Sequence, residues 1–95
     1  MIKMVGNDIL RGGKKIGWLR GNDIYDWNGK KLGYYHDSIG DVFSASGRKI
    51  AYLRGNYLET SDGYTKVRLD EVHREVSGGG ISEIARAAIR ILLGD

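Results

Sequence analysis

Apolar and polar positions alternate in short stretches from residue 8 to residue 60, and the alternation restarts at near-regular intervals. Asp8-Ile9-Leu10, Asp23-Ile24-Tyr25 and Asp41-Val42-Phe43 each open one unit. A turn follows, then a basic pair and a second apolar stretch: Lys14-Lys15-Ile16-Gly17-Trp18-Leu19, Lys30-Lys31-Leu32-Gly33-Tyr34-Tyr35 and Arg48-Lys49-Ile50-Ala51-Tyr52-Leu53. A period of two with β-branched and aromatic residues predicts strands. Gly55-Asn56-Tyr57-Leu58 starts a fourth copy, whose second arm (Tyr64 to Leu69) has diverged. Between the arms stand Gly12-Gly13, Asn28-Gly29, Ser46-Gly47 and Asp62-Gly63. Such pairs fill type I′ hairpin turns, where both central residues need positive φ, so the pattern predicts four hairpins. Gly-Asn at 6/7, 21/22 and 55/56, and Ile39-Gly40 in the third copy, reverse the chain again and make consecutive hairpins neighbours. Asp8 to Asp23 is a step of 15 residues and Asp23 to Asp41 one of 18, which places about three extra residues around His36-Asp37-Ser38-Ile39.

Repeats this short bury a core only together. The expected fold is mainly β: four short hairpins closed around a pseudo-four-fold axis, because closure removes strand edges that invite aggregation. Met1 to Val5, aligned on Gly6-Asn7, takes the place of the arm that precedes every other Gly-Asn, so it completes or pairs with the last hairpin. After residues 1–76 the composition changes. Ser77-Gly78-Gly79-Gly80 (77–80) reads as a connection, and 81–93 as a helix with Glu83 in its first turn and Arg90 in its last. Glu83, Arg86 and Arg90 form one narrow polar stripe, leaving the rest of the circumference apolar. A helix so widely apolar needs cover on several sides. The expectation is therefore a homo-oligomer, with Ile84, Ala88 and Ile91 facing a partner.

With 95 residues the chain is one folding unit, and 41% hydrophobic with 28% charged residues is the composition of a globular domain. Fifteen glycines and no proline fit a chain of many tight turns. No cysteine is present, which excludes disulfides, thiolate metal sites and a thiol nucleophile, and points to the cytoplasm. The apolar stretch from Ile84 to Leu93 is too short to span a bilayer and is broken by Arg86 and Arg90, so no membrane insertion is expected. A net charge of +3 favours anionic partners only mildly.

The pattern Asp-Ile-Tyr-Asp-x-x-Gly-Lys-Lys-Leu-Gly-Tyr (Asp23 to Tyr34), followed by a Gly-rich break and an apolar, small-residue helix, resembles the bacterial four-fold beta flower domain. The resemblance covers nearly the whole chain and implies four hairpins set like petals around an axis. It brings no activity and no catalytic residue with it. Ala51 stands where the first two copies have Gly17 and Gly33, and Tyr57 where they have Asp8 and Asp23.

For chemistry, alternation puts Ile16, Trp18 and Arg20 on one face, as it does Leu32, Tyr34 and His36, and Ile50, Tyr52 and Arg54. Three aromatic-plus-cation pairs (Trp18/Arg20, Tyr34/His36, Tyr52/Arg54) near the hairpin bases would converge on a phosphate-bearing ligand, the guanidinium binding the anion and the ring stacking on a base. The competing reading makes the rings core and pairs the cations with Asp8, Asp23 or Asp41. The basic pairs beside the turns read as solvated guards of strand edges. Trp27, without a counterpart in the other repeats, is a candidate partner anchor. His36 and His73 are the only histidines, no nucleophile elbow or metal-ligand spacing exists, and Asp23 with Asp26 is an ordinary turn pair. The expectation is a protein that is not an enzyme, with no cofactor and no metal. Its function is then capture of an anionic small ligand such as a nucleotide, for sequestration or sensing; nucleic acid is the weaker variant. The alternative is a structural or oligomerisation module for protein–protein interaction.

Overall fold

In the computed structural model, which describes residues 1–94, ten strands form one sheet and a single helix follows them. The strands are β1 (Ile2–Val5), β2 (Asp8–Arg11), β3 (Lys14–Arg20), β4 (Asp23–Asp26), β5 (Lys31–His36), β6 (Asp41–Ser44), β7 (Lys49–Arg54), β8 (Tyr57–Thr60), β9 (Lys66–Arg68) and β10 (Val76–Gly78); the helix is α1 (Glu83–Leu93). Consecutive strands pair antiparallel from β1 to β9, as hairpins and reversals dictate. β10 adds in parallel beside β1, giving the order β10-β1-β2-β3-β4-β5-β6-β7-β8-β9.

The sheet is open, not closed around an axis. The chain leaves β9 through a 3-10 turn at Val72–Arg74, whose Val72 is fully buried in the core. β1 does not pair with the last hairpin, β8–β9; its neighbours are β2 and β10. The stretch 77–80 is not wholly a connection either, since Ser77 and Gly78 belong to β10.

The first three hairpins share one irregularity. The ladder slips between Ile9 and Leu10, between Ile24 and Tyr25, and between Val42 and Phe43, so Ile16, Leu32 and Ile50 are each passed over as the extra residue of a bulge. The bulge breaks strict alternation. Ile16 and Ile50 turn towards the core instead of sharing a face with Trp18 and Tyr52, and the preceding Lys15, Lys31 and Lys49 go to the outer face.

The turns differ from type I′ in three cases of four. Gly12 (φ +59°) and Gly13 (φ +79°) both have positive φ, but no non-glycine residue does among those described, so Asn28, Ser46 and Asp62 do not. In these hairpins the residue opening the turn accepts through its side chain instead. Asp26 Oδ1 takes the N–H groups of Asn28 (2.9 Å) and Lys30 (3.0 Å), Ser44 Oγ that of Arg48 (3.3 Å), and Thr60 Oγ1 that of Thr65 (3.0 Å).

Each strand contributes one or two side chains to a single core: Ile2 and Met4, Ile9, Leu19, Ile24, Tyr35, Val42, Ala51, Leu58, Val67 and Val76. Against them α1 buries Ile84, Ala85, Ala87, Ala88 and Ile89. Because α1 touches β4 and β5 in the middle of the sheet as well as β8, β9 and β10 at its ends, the sheet curls around the helix. Three alanines let the two surfaces approach closely. Ser82 caps the helix by accepting from the Ala85 N–H (3.0 Å) and donates to Asp37 (2.6 Å). Arg90 pairs with Glu75 (2.9 Å), and an Arg11 guanidinium N–H donates to the Leu93 carbonyl at the other end.

Tyr35 lies in this core, and burial, aided by the Asp37 charge, raises its phenol above the ordinary value of 10.0. A raised acid favours the fold while the phenol is protonated. The contribution is complete below the unfolded-state pKa and is lost as pH climbs through the folded-state value. Wild-type protein should therefore destabilise above about pH 10 more steeply than Tyr35→Phe, as urea midpoints across pH 8–11 will show.

Candidate functional site

The outer face of the sheet, opposite the helix, holds every aromatic and cation expected at a ligand site. It is built as a staggered ladder. Across β2, β3, β4 and β5 the partners run Asp8, Trp18, Tyr25, Lys31; one hairpin further, across β3 to β7, they run Arg20, Asp23, Tyr34, Phe43, Lys49. Trp18 stacks on Tyr25 with centroids 5.6 Å apart and planes 15° from parallel, and Tyr34 on Phe43 at 5.0 Å and 15°. Such cross-strand pairs are worth about 0.5–1.5 kcal/mol each beyond their buried area. His36 tilts against both rings of the second pair, 5.8 Å from Tyr34 and 5.0 Å from Phe43.

The bulge-displaced lysines complete the ladder. Lys15 lies 5.1 Å from the Trp18 ring centre and 3.0 Å from Asp8; Lys31 lies 4.8 Å from that of Tyr34 and 3.2 Å from Asp23. Lys49 meets Asp41 at 3.3 Å. The carboxylates at the strand starts are thus held by lysines of their own hairpins, not by Arg20, His36 or Arg54. Trp18 and Tyr34 each have one ring face against an aromatic neighbour and a lysine over the ring, so neither offers the open platform that base stacking requires.

Tyr52 and Arg54 depart from the first two copies. Opposite Tyr52 stands Glu59 where the others have Tyr25 and Phe43, and Glu59, almost wholly buried, takes Arg54 at 3.3 Å. Arg20 is exposed, and no carboxylate lies within 4 Å of it among the described residues; it borders a shallow depression with Asn7, Asp8, Lys15, Trp18 and Leu19. Arg20, His36 and Arg54 sit on alternate strands (β3, β5, β7), about 10 Å apart at ordinary strand spacing, on the convex side of a curled sheet. They do not converge.

The residues expected to face a partner fall into two groups. Ile84 and Ala88 are buried in the chain's own core and Ile91 is half-buried, because the curled sheet covers more of the helix than flat hairpins would. Trp27 is different. It stands 67% exposed on the tip between β4 and β5, in a turn pinned by the two Asp26 side-chain bonds and by Gly29 N–H to the Asp26 carbonyl (3.0 Å). Sequence reasoning missed Tyr64, 91% exposed on the tip between β8 and β9. The Thr60 hydroxyl and then the Tyr64 N–H hold the Asp62 carboxyl of that turn below its usual range. Its signal was available, since Asp62-Gly63-Tyr64 puts an aromatic directly after the turn.

Among the described residues no group of three or more His, Asp or Glu side chains could hold a metal ion, and no helix is long and apolar enough to cross a membrane. These features define a hairpin-repeat β protein curled around its own C-terminal helix. The chain belongs to the 4-fold beta flower protein family, whose model matches residues 10–79. Neither the curated proteins nor the solved structures searched contain a match.

Proposed function

We propose that this protein is a non-enzymatic interaction module that binds a protein partner through the hairpin tip carrying Trp27. The observation that carries this reading is an indole held in the open by a rigid turn. Most of a large apolar side chain is left in water, on a loop whose backbone is already ordered, so docking would bury it at little further conformational cost. The outer ladder supports the same reading by default, since its aromatic and charged groups are largely spent on one another.

Trp27→Ala is expected to weaken partner binding at least about 30-fold, in line with a ~2 kcal/mol anchor, while shifting the urea midpoint little. Surface plasmon resonance against the partner recovered with wild-type protein gives the first number. Unchanged affinity would reject the anchor role.

A second reading, capture of an anionic small ligand, is favoured by Arg20 alone. Its guanidinium, with no carboxylate within 4 Å among the described residues, lies beside the depression at Asn7 and Trp18 and suits a phosphate or carboxylate. Calorimetric titration with mononucleotides separates the two readings, because only ligand capture predicts heat that vanishes in Arg20→Ala.

A further inference from the structure

The fourth hairpin breaks the outer ladder at three positions that lie together. Glu59 stands opposite Tyr52, where Tyr25 and Phe43 stand opposite Trp18 and Tyr34. Tyr57 occupies the strand start at which Asp8, Asp23 and Asp41 each hold a lysine. Lys66 lies opposite Glu59, as Lys31 lies opposite Tyr25 and Lys49 opposite Phe43, but it lacks that partner: no carboxylate is within 4 Å of its ammonium among the described residues. Where the other hairpins stack two rings, a cavity of about 350 Å³ lies here, lined by Arg54, Gly55, Asn56, Tyr57, Glu59 and Lys66. Glu59 is only 8% exposed, yet one of its oxygens is unbonded. Oε2 accepts from Arg54 Nη1 at 3.3 Å, and no donor among the described residues reaches Oε1. Every fully buried side-chain nitrogen or oxygen among those residues has a hydrogen-bond partner, so Oε1 is open to solvent, and the cavity that Glu59 lines is its opening.

We propose that this cavity binds a free α-amino acid with an apolar or aromatic side chain. Its polar groups call for one ligand that carries both charges. A nearly buried carboxylate with one oxygen lacking a donor is relieved by an ammonium, through a charge-assisted bond. The Lys66 ammonium and the outward N–H groups of Arg54, whose side chain is 72% exposed, take a carboxylate. Glu59 and Lys66 are direct cross-strand partners, with Cβ atoms about 5 Å apart, so the two charges they hold sit close together on the ligand, as on a single α-carbon. A ligand with only a carboxylate leaves Oε1 bare and is repelled by it, and one with only an ammonium is repelled by Lys66. The Tyr57 ring, 41% exposed in the same wall, supplies apolar surface for the side chain. A cavity of this volume is at the small end of ligand sites and suits one amino acid, not a peptide.

Titration followed by the amide NMR spectrum tests this with three probes: L-phenylalanine, phenethylamine, which lacks the carboxylate, and 3-phenylpropionate, which lacks the ammonium. Phenylalanine is expected to saturate the wild-type protein with a Kd of about 1 mM or below, shifting the amides of residues 54–59 and 66, and each one-charge analogue to bind at least about tenfold more weakly. Glu59→Gln is expected to weaken phenylalanine at least about tenfold and leave 3-phenylpropionate unchanged, whereas Lys66→Met weakens both and leaves phenethylamine unchanged. No saturable binding of phenylalanine up to ~10 mM, or an analogue that binds as tightly as phenylalanine, would overturn the proposal. Because Glu59 is nearly buried beside Arg54, circular dichroism checks that Glu59→Gln keeps its β signal. Should it be lost, Lys66→Met, at an exposed position, decides alone: phenylalanine affinity equal to wild type overturns the site, and a tenfold loss confined to the two carboxylate-bearing probes supports it.

Discussion

Gly33→Ala is expected to cost about 3 kcal/mol or more, a large share of the stability of a domain this size. A Cβ at Gly33 would stand 2.2 Å from the Phe43 carbonyl oxygen and 3.0 Å from a Leu92 methyl. The Leu92 side chain can turn away, but the carbonyl belongs to the neighbouring strand and moves only if the β5–β6 ladder moves. Gly17 is in the same position, 2.2 Å from the Tyr25 carbonyl oxygen with a Leu93 methyl at 3.3 Å. The two glycines thus set how closely the end of α1 and the neighbouring strands approach. In the third copy Ala51 fills the register with a fully buried methyl. Ala51→Gly should accordingly cost only about 1 kcal/mol, mostly backbone entropy. Urea denaturation of the three variants checks the asymmetry: equal losses for Gly33→Ala and Ala51→Gly would mean that close approach does not govern this register.

Ile89→Ala is expected to remove about 2–5 kcal/mol, the range for truncating a fully buried isoleucine that leaves a cavity. Ile89 has no exposed surface and lies mid-helix, where the curled sheet surrounds it. The loss should appear at low protein concentration and be independent of it, because the cover comes from the same chain. A loss that disappears as concentration rises would place the helix between subunits. The contrast with Ile91 is useful. Half-buried on the same helix, it should cost roughly half as much when truncated, in proportion to the area it withdraws from water.

Much of this fold was legible in the sequence because it is written in turns. Gly12-Gly13, Asn28-Gly29 and the Gly-Asn reversals fix where the chain folds back, and the strand from Asp23 to Asp26 begins where its repeat begins. The helix was legible from its apolar circumference and its Gly-rich approach, and it starts two residues later than the apolar pattern does because Ser82 is the cap. Closure was not legible. Whether two strand ends meet depends on how far the sheet curls around α1, which touches strands in its middle and at its ends, and no local pattern announces that.

The candidate site was misread at one point with large consequences. Strict alternation puts Ile16 beside Trp18, but the bulge at Ile16 inverts the facing of everything before it, and Lys15 arrives beside the ring instead. Three such bulges bring Lys15, Lys31 and Lys49 onto the outer face, where they pair with Asp8, Asp23 and Asp41. Nothing in a period-two pattern announces a bulge; the repeated basic pair followed by an apolar residue and a small one was its trace. Trp27 was legible for the opposite reason. It breaks the repeat at a hairpin tip, and what the structure shows of it is its exposure there.

The measurement that bears most directly on the function is photo-crosslinking in the host cell, with a photoreactive amino acid placed in turn at position 27 and at position 20. Defined adducts to another protein from position 27, absent from position 20 and suppressed when excess wild-type protein competes, are the result this account predicts. Adducts from position 20 with none from position 27 would contradict it and move the functional surface to the Arg20 depression.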